Sequence, residues 1–353
     1  MIDSRSIVMN GRFLHQDMTG VQRYAHELLE RLRPELQVVA PEGRLGAARG
    51  HLWEQITLPR LCRGALLWSP GNTGPLAQGN QVVTIHDAST LDHPEWFSGK
   101  FAVWYRFLLP RLARRVRKVI TVSEFSRREL IRLCRIPEEK VVAIHNGISP
   151  RFAPASEEEK AALRRKHALE KPFVLYLGSL EPRKNVGALL TAWKNLGPRD
   201  CDLVLAGAAS RIFRERGFAD LPPGTKLLGR VDDAELPALL SAAQAFAFPA
   251  LYEGFGFPPL EAMACGTPVL CSNTTSLPEV CGPAFDAADP SRGAVLYFDP
   301  LNVDEITSQL ASVLALDDAT RQGLAVRGRA QAARFTWDEC ATKTLAVLQE
   351  LNS

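Results

Sequence analysis

Residues 253–261 read "EGFGFPPLE" and hold two carboxylates, Glu253 and Glu261, separated by seven residues. Between them the two glycines allow a backbone to approach a ligand closely, and the two prolines suit the first turn of a helix. The free N–H groups at a helix start form an anion site. The stretch therefore predicts a loop that binds phosphate with its backbone and hydroxyl groups with its carboxylates. The alternative is a plain strand–turn–helix with surface glutamates.

A second candidate is the pair of cations in "GSLEPRKN", residues 178–185, which follows an apolar run. The Arg183 guanidinium can bind phosphate through two hydrogen bonds, and the Lys184 ammonium adds a point charge. Together they would neutralise the charge that develops on a departing diphosphate. The alternative is a solvated helix start, although positive charge there opposes the helix dipole.

Two further candidates lie in the first half of the chain. Gly20, in "MTGVQRY", precedes an amphipathic helix, so its backbone could approach a diphosphate; the alternative is a loop with a helix cap. His86 and Asp87 end a strand in "TIHDAS". A lone histidine is more often a packing or capping residue than a catalyst, but its place at a strand end makes His86 a candidate site residue. Asp87 orients it or caps the next helix.

These candidates depend on elements that alternate along the chain. Short apolar runs bounded by Gly, Pro, Asn and Ser are typical of strands buried on both faces, and amphipathic helices lie between them. Such alternation predicts parallel sheets with helical crossovers, and six runs in each half predict two doubly wound α/β domains. The predicted strands are 6–10, 37–41, 65–70, 81–87, 118–123 and 140–146, and then 173–179, 202–208, 226–231, 245–250, 267–272 and 294–299.

The linker is expected near residues 150–170, where proline, serine and three glutamates interrupt the pattern. We predict an N-terminal domain at 1–160, a C-terminal domain at 161–335 and a last helix at 336–353 that packs back on the first domain. In open parallel sheets, ligands bind at the carboxyl ends of strands, so two facing domains would place a ligand in the cleft between them.

Composition excludes several classes of protein. The 353 residues carry a net charge of +3, from 42 basic and 39 acidic residues, which is too weak to indicate nucleic-acid binding. The seven cysteines show no C-x-x-C spacing, so we expect reduced, buried thiols in a cytoplasmic protein. We find no secretory signal in "MIDSRSIVMNGRFL", no membrane span, and no G-x-G-x-x-G after the first strand, which disfavours a dinucleotide dehydrogenase.

The segment 106–118 is strongly basic. Its apolar residues Phe107, Leu108, Leu112, Val116 and Val119 approximate one helical face, and this pattern suits either an anionic membrane surface or a solvated helix. The basic residues are Arg106, Arg111, Arg114, Arg115, Arg117 and Lys118.

At this point the sequence resembles the retaining glycosyltransferases of family 4, which have the GT-B fold of two Rossmann-like domains. The resemblance rests on the Glu-x7-Glu pair, on "AMACGTPVLCSNTTSLPEV", on "LYLGSLEPRKNV", and on "MTGVQRYAHELL" and "IHD" in the first half. It spans nearly the whole chain and is most specific at 173–282. Within the family, the chain looks like bacterial mannosyl- and rhamnosyltransferases of surface polysaccharide and lipopolysaccharide assembly.

The resemblance implies a nucleotide-sugar donor, with GDP-mannose as first choice, and a glycan or lipid-linked acceptor. It assigns the ribose to Glu261, the donor sugar to Glu253, and the diphosphate to Arg183 and Lys184. It also implies that His86 contacts the transferred sugar without acting as a general base. The loop of Gly20 approaches the diphosphate, although Thr19 replaces the first of two glycines common in the family. Neither metal nor cofactor is expected, since the two cations supply the charge. The remaining predicted donor contacts are Gly254, Phe255, Gly256, Phe257, Arg230 and Val231, the last two at the base.

Other readings stay open at this stage. UDP-glucose, UDP-N-acetylglucosamine and dTDP-rhamnose are alternative donors. A glycoside hydrolase also uses two carboxylates, but it has no use for the adjacent cations. A sugar-nucleotide epimerase, a phosphorylase and a binding protein without turnover would keep the fold and lose the transfer.

Overall fold

The computed structural model describes residues 6–208, 221–289 and 291–352. Their contacts divide the chain into two compact units: unit 1 is Met1–Gly147 with Phe335–Ser353, and unit 2 is Ile148–Arg334. The sequence places the domain boundary at residue 160, whereas the segment from Ile148 onward already belongs to unit 2.

Unit 1 contains a six-stranded parallel sheet in the order β2-β1-β3-β4-β5-β6. Each strand is short and mostly apolar, and both faces of β1, β3 and β4 are buried, as a sheet covered by helices requires. The strands are β1 Ile7–Asn10, β2 Leu36–Val39, β3 Leu66–Ser69, β4 Gln81–Thr84, β5 Lys118–Thr121 and β6 Val141–Ala143.

Helices connect these strands and bury them. One core cluster includes Val83, Leu109, Leu112 and Leu130, and another joins Val8, Leu58 and Leu67. The α-helices of unit 1 are α1 Gly20–Leu32, α2 Ala47–Leu52, α3 Leu58–Leu61, α4 Ser89–Asp92, α5 Gly99–Arg115 and α6 Glu124–Cys134, with one turn of π-helix at Trp53–Thr57 between α2 and α3.

Unit 2 repeats the architecture with the sheet order β12-β11-β10-β7-β8-β9, again all parallel. Its strands are β7 Phe173–Leu177, β8 Asp202–Ala206, β9 Thr225–Gly229, β10 Ala245–Phe248, β11 Val269–Ser272 and β12 Val295–Phe298. Its described α-helices are α7 Glu157–Lys166, α8 Val186–Asn195, α9 Leu236–Ala242, α10 Phe257–Ala264, α11 Leu277–Cys281, α12 Val303–Leu314 and α13 Asp318–Ala332.

The last helix, α14 (Trp337–Asn352), packs on α1 within unit 1. Trp337 is 2% exposed beside the Tyr24 ring, and Arg31 Nε donates to Asp338 Oδ1 at 2.7 Å. Gly147 is required at the crossing, because a Cβ there would lie 2.0 Å from the Trp337 backbone nitrogen. Gly147 is therefore a packing contact for α14.

The twelve predicted strands are all present, and both sheets are parallel and covered by helices. The predicted fold class is confirmed. All seven cysteines are buried free thiols. Across residues 6–208, 221–289 and 291–352, no helix combines the length and apolar character that crossing a membrane needs.

Candidate active site

The central feature of unit 2 is the point where its strand order reverses. The chain starts at β7 in the middle of the sheet, adds β8 and β9 on one side, and then places β10 on the other. Ligands of doubly wound sheets bind at the carboxyl ends of the two strands that flank such a point. Here the loop after β7 carries Arg183 and Lys184, and the loop after β10 carries Glu253.

Three side chains meet at these strand ends. Lys184 Nζ donates to Glu253 Oε1, and Arg183 Nη1 lies 3.7 Å from the same oxygen. The side chains of Lys184 and Glu253 are 8% and 11% exposed, so this ion pair is largely removed from water. The Lys184 ammonium also lies 4.9 Å from the centroid of the Phe248 ring. The structure thus joins residues that are 69 positions apart.

The electrostatics of the group follow from burial and its partners. Burial lowers the pKa of Lys184, and the carboxylate of Glu253 opposes that shift. Burial raises the pKa of Glu181, but Arg183, whose Nε donates to Glu181 Oε2 at 3.0 Å, brings the net pKa below its usual value. The Arg183 side chain is 22% exposed. The group therefore presents two cations whose charge a ligand diphosphate can share.

The loop after β10 is fixed by its own backbone contacts. The Leu251 N–H donates to the Arg183 carbonyl at 2.8 Å, which ties the two loops together. The Ser276 hydroxyl lies 3.0 Å from the Glu253 carbonyl and 3.1 Å from the Phe255 carbonyl, and the Glu253 N–H donates to Thr275 Oγ1 at 3.3 Å. Sequence reasoning missed these two hydroxyl residues, although "TTSLPEV" contains them.

Helix α10 begins directly after this loop, as predicted. Gly256 is its N-cap with φ +102°, a conformation that a side chain would strain, and no side chain caps the helix. Pro258 lies in the first turn, where its missing N–H costs nothing. Glu261 follows in the second turn and is 3% exposed. Both acids of the motif are buried, which excludes the reading of two surface glutamates.

The predicted base contacts, Arg230 and Val231, follow β9, which is an edge strand of the sheet. Arg230 is exposed and Val231 is buried directly after β9. The Gly207 N–H donates to the carbonyl of Gly229, the last residue of β9, at 2.7 Å. Strands β7 and β8 separate β9 from β10, which corresponds to about 14 Å at about 4.8 Å per strand. The structure therefore does not bring Arg230 and Val231 into the Glu253 group.

An Asp-x-Asp sequence, Asp200–Asp202, lies at the amino end of β8, away from the strand ends that carry the candidate residues. Asp200 Oδ1 is 3.3 Å from Lys171 Nζ, and Asp202 Oδ2 is 3.2 Å from Lys226 Nζ. These carboxylates form ion pairs of unit 2 and are no part of the candidate site.

Unit 1 holds the other two candidates. His86 is 8% exposed. Its ring Nε2 is 2.9 Å from the Pro70 carbonyl, and its backbone N–H donates to Asn72 Oδ1 at 2.8 Å. A carbonyl only accepts, so Nε2 carries a proton, and burial lowers the pKa of the ring. Tyr24 packs edge-on against it with centroids 4.8 Å apart. An imidazole held in this way fits a positioning role. Asp87 Oδ1 accepts from the Ser89 N–H and so starts α4.

Gly20 is the first residue of α1 and is exposed. No side chain caps this helix, and the Thr19 hydroxyl instead donates to Gln22 Oε1. The N–H groups of the first turn therefore receive no side-chain oxygen from the capping position. This arrangement keeps the predicted anion contact available at Gly20.

Sequence reasoning also missed a buried polar cluster in unit 1. Glu54, on the π-helical turn, is 1% exposed and accepts from Asn10 Nδ2 at 2.8 Å, Thr73 Oγ1 at 3.0 Å and Arg12 Nη1 at 3.2 Å. The only hint in the sequence is that Arg12 follows a strand. A glutamate inside a helix gives no periodic signal.

Two Rossmann-like domains in one chain agree with the GT-B fold that the sequence resemblance implies. The chain matches the family model "Glycosyl transferases group 1" over residues 158–331 and "Glycosyltransferase Family 4" over residues 65–152. The chain therefore belongs to the glycosyltransferases that these two models describe.

Similar proteins agree with this assignment. The chain is 37% identical over 280 residues to O-antigen chain mannosyltransferase B of Escherichia coli, covering 75% of this chain and 68% of the relative. It is 33% identical over 274 residues to the E. coli serotype-specific mannosyltransferase WbdA, of which it spans about a third, 32%. Among solved structures, Anabaena HepE in complex with UDP and glucose superposes with a TM-score of 0.79 at 18% identity, covering 98% of this chain and 99% of HepE. That likeness shows the fold.

Proposed function

We propose that the protein is a retaining, metal-independent hexosyltransferase that moves mannose from GDP-mannose to a glycan or lipid-linked glycan in cell-surface polysaccharide assembly. The observation that carries this proposal is the buried group of Arg183, Lys184 and Glu253 at the switch point of unit 2. The names of the relatives, an O-antigen chain mannosyltransferase and a serotype-specific mannosyltransferase, support the choice of sugar and pathway.

In this proposal, unit 2 binds the donor. The diphosphate lies against the first turn of α10 and takes Arg183 and Lys184 as partners, while Glu253 turns to the sugar hydroxyls. Glu261 holds the ribose. The distance of about 14 Å from β10 to β9 is spanned by the nucleoside, so that Arg230 and Val231 meet the base. The Lys184–Glu253 ion pair holds both groups in place for these partners.

Catalysis then rests on positioning and charge. The bond from the sugar anomeric carbon to the diphosphate oxygen breaks, and the acceptor oxygen bonds to the same face of that carbon. The departing diphosphate accepts the acceptor proton. Arg183 and Lys184 stabilise the charge that develops on the diphosphate. His86 and Gly20, in unit 1, position the sugar and approach the diphosphate through backbone groups, and His86 transfers no proton.

The test is a thermal-shift series with GDP, UDP, ADP and dTDP, followed by transfer assays with the matching sugar donor. A nucleotide at 100 times its dissociation constant adds about 2.7 kcal/mol to native stability. We expect GDP alone to raise the midpoint, EDTA to leave transfer unchanged, and the product to keep the donor's anomeric configuration by NMR. Stabilisation by UDP or dTDP instead would reassign the donor to glucose, N-acetylglucosamine or rhamnose. Stabilisation by none would contradict the donor site.

The proposal places the protein in the cytoplasm, peripheral to an anionic membrane surface through α5. The structure changes which residues carry this idea. Leu108 and Leu112 are buried, the helix ends at Arg115, and Val119 belongs to β5, so most of the predicted apolar face packs inward and does not meet a membrane. The outer surface instead exposes Phe101, Val103 and Phe107, 40%, 71% and 44% accessible.

Arginines surround this exposed apolar set. Arg106, Arg111, Arg114 and Arg115 are exposed, and the Arg111 guanidinium lies 3.9 Å from the centroid of the Phe107 ring. Aromatic side chains beside cations match the boundary between acyl chains and anionic headgroups. A lipid-linked acceptor would be reached from that surface.

A further inference from the structure

A small pocket lies within unit 1 and has no part in the donor site. It is enclosed by the 3-10 helix Gly11–His15 after β1, by the segment after β2, and by α2, and its volume is about 140 Å³. This is room for several water-sized groups. Arg12, His15, Gln16 and His51 supply its polar side chains. The pocket therefore offers hydrogen-bonding groups at the carboxyl ends of two strands.

Arg12 is held rigidly in this pocket. Its Nη1 lies 3.2 Å from Glu54 Oε2 and 3.2 Å from His51 Nδ1, and its Nη2 donates to Thr73 Oγ1 at 3.2 Å. Its side chain is 13% exposed, whereas the Glu54 side chain beneath it is 1% exposed. A fixed guanidinium needs no reordering to donate to a ligand. Its charge, however, is already balanced by a buried carboxylate.

Glycines leave the approach to Arg12 open. Gly50 lies in helix α2, and a Cβ there would be 3.6 Å from Arg12 Cδ and 4.0 Å from Arg12 Nη1, an ordinary contact. Packing would thus accept an alanine, which is also the better helix former. A Cβ on Gly46 would meet nothing within 4 Å. Because Gly46 and Gly50 have no side chains, space remains beside the Arg12 guanidinium that a ligand can use. An alanine at position 50 would cover part of that guanidinium.

The His51 side chain, which lines the pocket, is held by two aromatic rings of α5. The His51 ring meets Trp104 edge-on at a centroid distance of 5.5 Å and Tyr105 at 6.4 Å. Arg12 and His51 therefore present fixed hydrogen-bonding groups, which suit the hydroxyl groups of a sugar ring. A phosphate or uronate would gain less from the Arg12 charge, because the Glu54 carboxylate already compensates it.

From these observations we propose that the pocket of Arg12, Gln16, His51 and the glycines 43, 46 and 50 is a subsite for a neutral sugar unit of the acceptor. The proposal rests on the proposed glycosyltransferase function and adds the acceptor's chemistry: a hydroxyl-rich, uncharged residue bound by unit 1. Arg12 and His51 bind its hydroxyl groups, and Gly46 and Gly50 admit its ring.

The experiment measures saturation-transfer NMR from the full-length protein to methyl α-D-mannopyranoside at about 20 mM, above the roughly millimolar Kd of a weak ligand. Gly50→Ala and Gly46→Leu are compared with Gly99→Ala, a helix glycine of the same unit whose Cβ also meets nothing within 4 Å. We expect both pocket variants to lose at least about tenfold in affinity. Gly99→Ala should bind as the wild type does. Thermal shifts with GDP, which report the donor site, should be the same in all four proteins.

Three results would overturn the subsite. They are no saturation transfer from the wild type to the sugar, unchanged sugar binding in both pocket variants, or a tighter and Gly50-dependent binding of mannose 6-phosphate. If one pocket variant fails to fold, the other decides, since the two act at different positions. A wild type that binds the sugar in this pocket but responds to no nucleotide supports the subsite and counts against the proposed donor instead.

Discussion

The Lys184 ammonium group and the Glu253 carboxylate form a buried ion pair at the ends of the neighbouring strands β7 and β10. Each residue is predicted to bind a different part of the donor, so the ion pair joins two ligand-binding groups. Breaking a buried pair by removing one partner is costly, because the other charge is left without compensation. Binding of a donor diphosphate avoids this cost by giving Lys184 a new anion.

Substitutions of Glu253 and Glu261 should have different effects on transfer and on nucleotide binding. Glu253→Gln keeps an oxygen for Lys184 but loses the charged hydrogen bonds to the donor sugar, so we expect kcat to fall about 10- to 100-fold with nucleotide affinity nearly retained. Glu261→Gln should instead raise the nucleotide Kd by a similar factor. Calorimetry with GDP and initial transfer rates measure both, with exposed Glu158→Gln as the control. Negligible effects of both variants would refute the assignment of the motif.

Nucleotide binding should weaken at alkaline pH. Burial lowers the pKa of Lys184, and the diphosphate needs its protonated form, so affinity is full below that pKa and falls by up to about tenfold per pH unit above it. Glu253, Arg183, Glu181 and Tyr176 also face this region. Lys184→Arg, which stays charged, should move the loss beyond the accessible range.

The measurement is the GDP dissociation constant from pH 7 to pH 10, by calorimetry in matched buffers. Lys184→Met should bind weakly with no such slope, and Lys194→Met, an exposed lysine of α8, should behave like the wild type. A Lys184→Met variant that keeps the alkaline slope would assign it to another group.

Much of this site follows from the sequence for a simple reason. The strands are continuous apolar runs, so their ends are readable, and parallel topology brings the ends to one edge of the sheet. That is why Arg183, Lys184 and Glu253 could be placed near one another. Their direct pairing could not be predicted, because it depends on side-chain rotamers across 69 residues.

Other parts of the structure leave a weaker trace in the sequence. The apolar residues from Leu108 to Val119 keep a helical period although the helix ends at Arg115, so periodicity alone joined a helix to the next strand. The polar partners of Glu54 lie on three separate segments, and only the folded sheet brings them together.

Membrane binding should depend on the exposed face of α5. Phe101→Ser combined with Phe107→Ser removes apolar surface that is accessible in the folded chain, so the fold should persist while binding to anionic vesicles falls. Co-sedimentation with vesicles of phosphatidylcholine and phosphatidylglycerol measures this. Val326→Ser, at a 51% exposed position in unit 2, is the control.

The salt dependence of vesicle binding distinguishes the contribution of the apolar side chains from that of the arginines. Attraction by the arginines should weaken as salt rises, because exposed charges are screened over about 10 Å at 0.1 M. Equal binding to pure phosphatidylcholine, or no binding to either vesicle, would contradict the membrane proposal and leave α5 as a solvated helix.

The Arg12–Glu54 pair should make the stability of unit 1 depend on acid. Burial raises the pKa of the Glu54 carboxyl, but its bonds to His51, Arg12, Thr73 and Asn10 outweigh burial and hold the pKa below its usual value. Because the folded pKa lies below the unfolded one, this contribution is complete above the usual glutamate range and is lost as pH falls through the folded pKa. Glu54→Gln leaves the Arg12 charge uncompensated and should cost about 3 kcal/mol at pH 7.

Urea unfolding followed by tryptophan fluorescence tests this, since five of the six tryptophans belong to unit 1. The difference between wild type and Glu54→Gln should be largest at neutral pH and shrink once pH drops below about 4, where an ordinary glutamate protonates. Glu30→Gln, at an exposed position of α1, should match the wild type throughout. A difference that stays constant from pH 7 to acid would mean that Glu54 acts by packing alone and that its charge contributes nothing to holding Arg12.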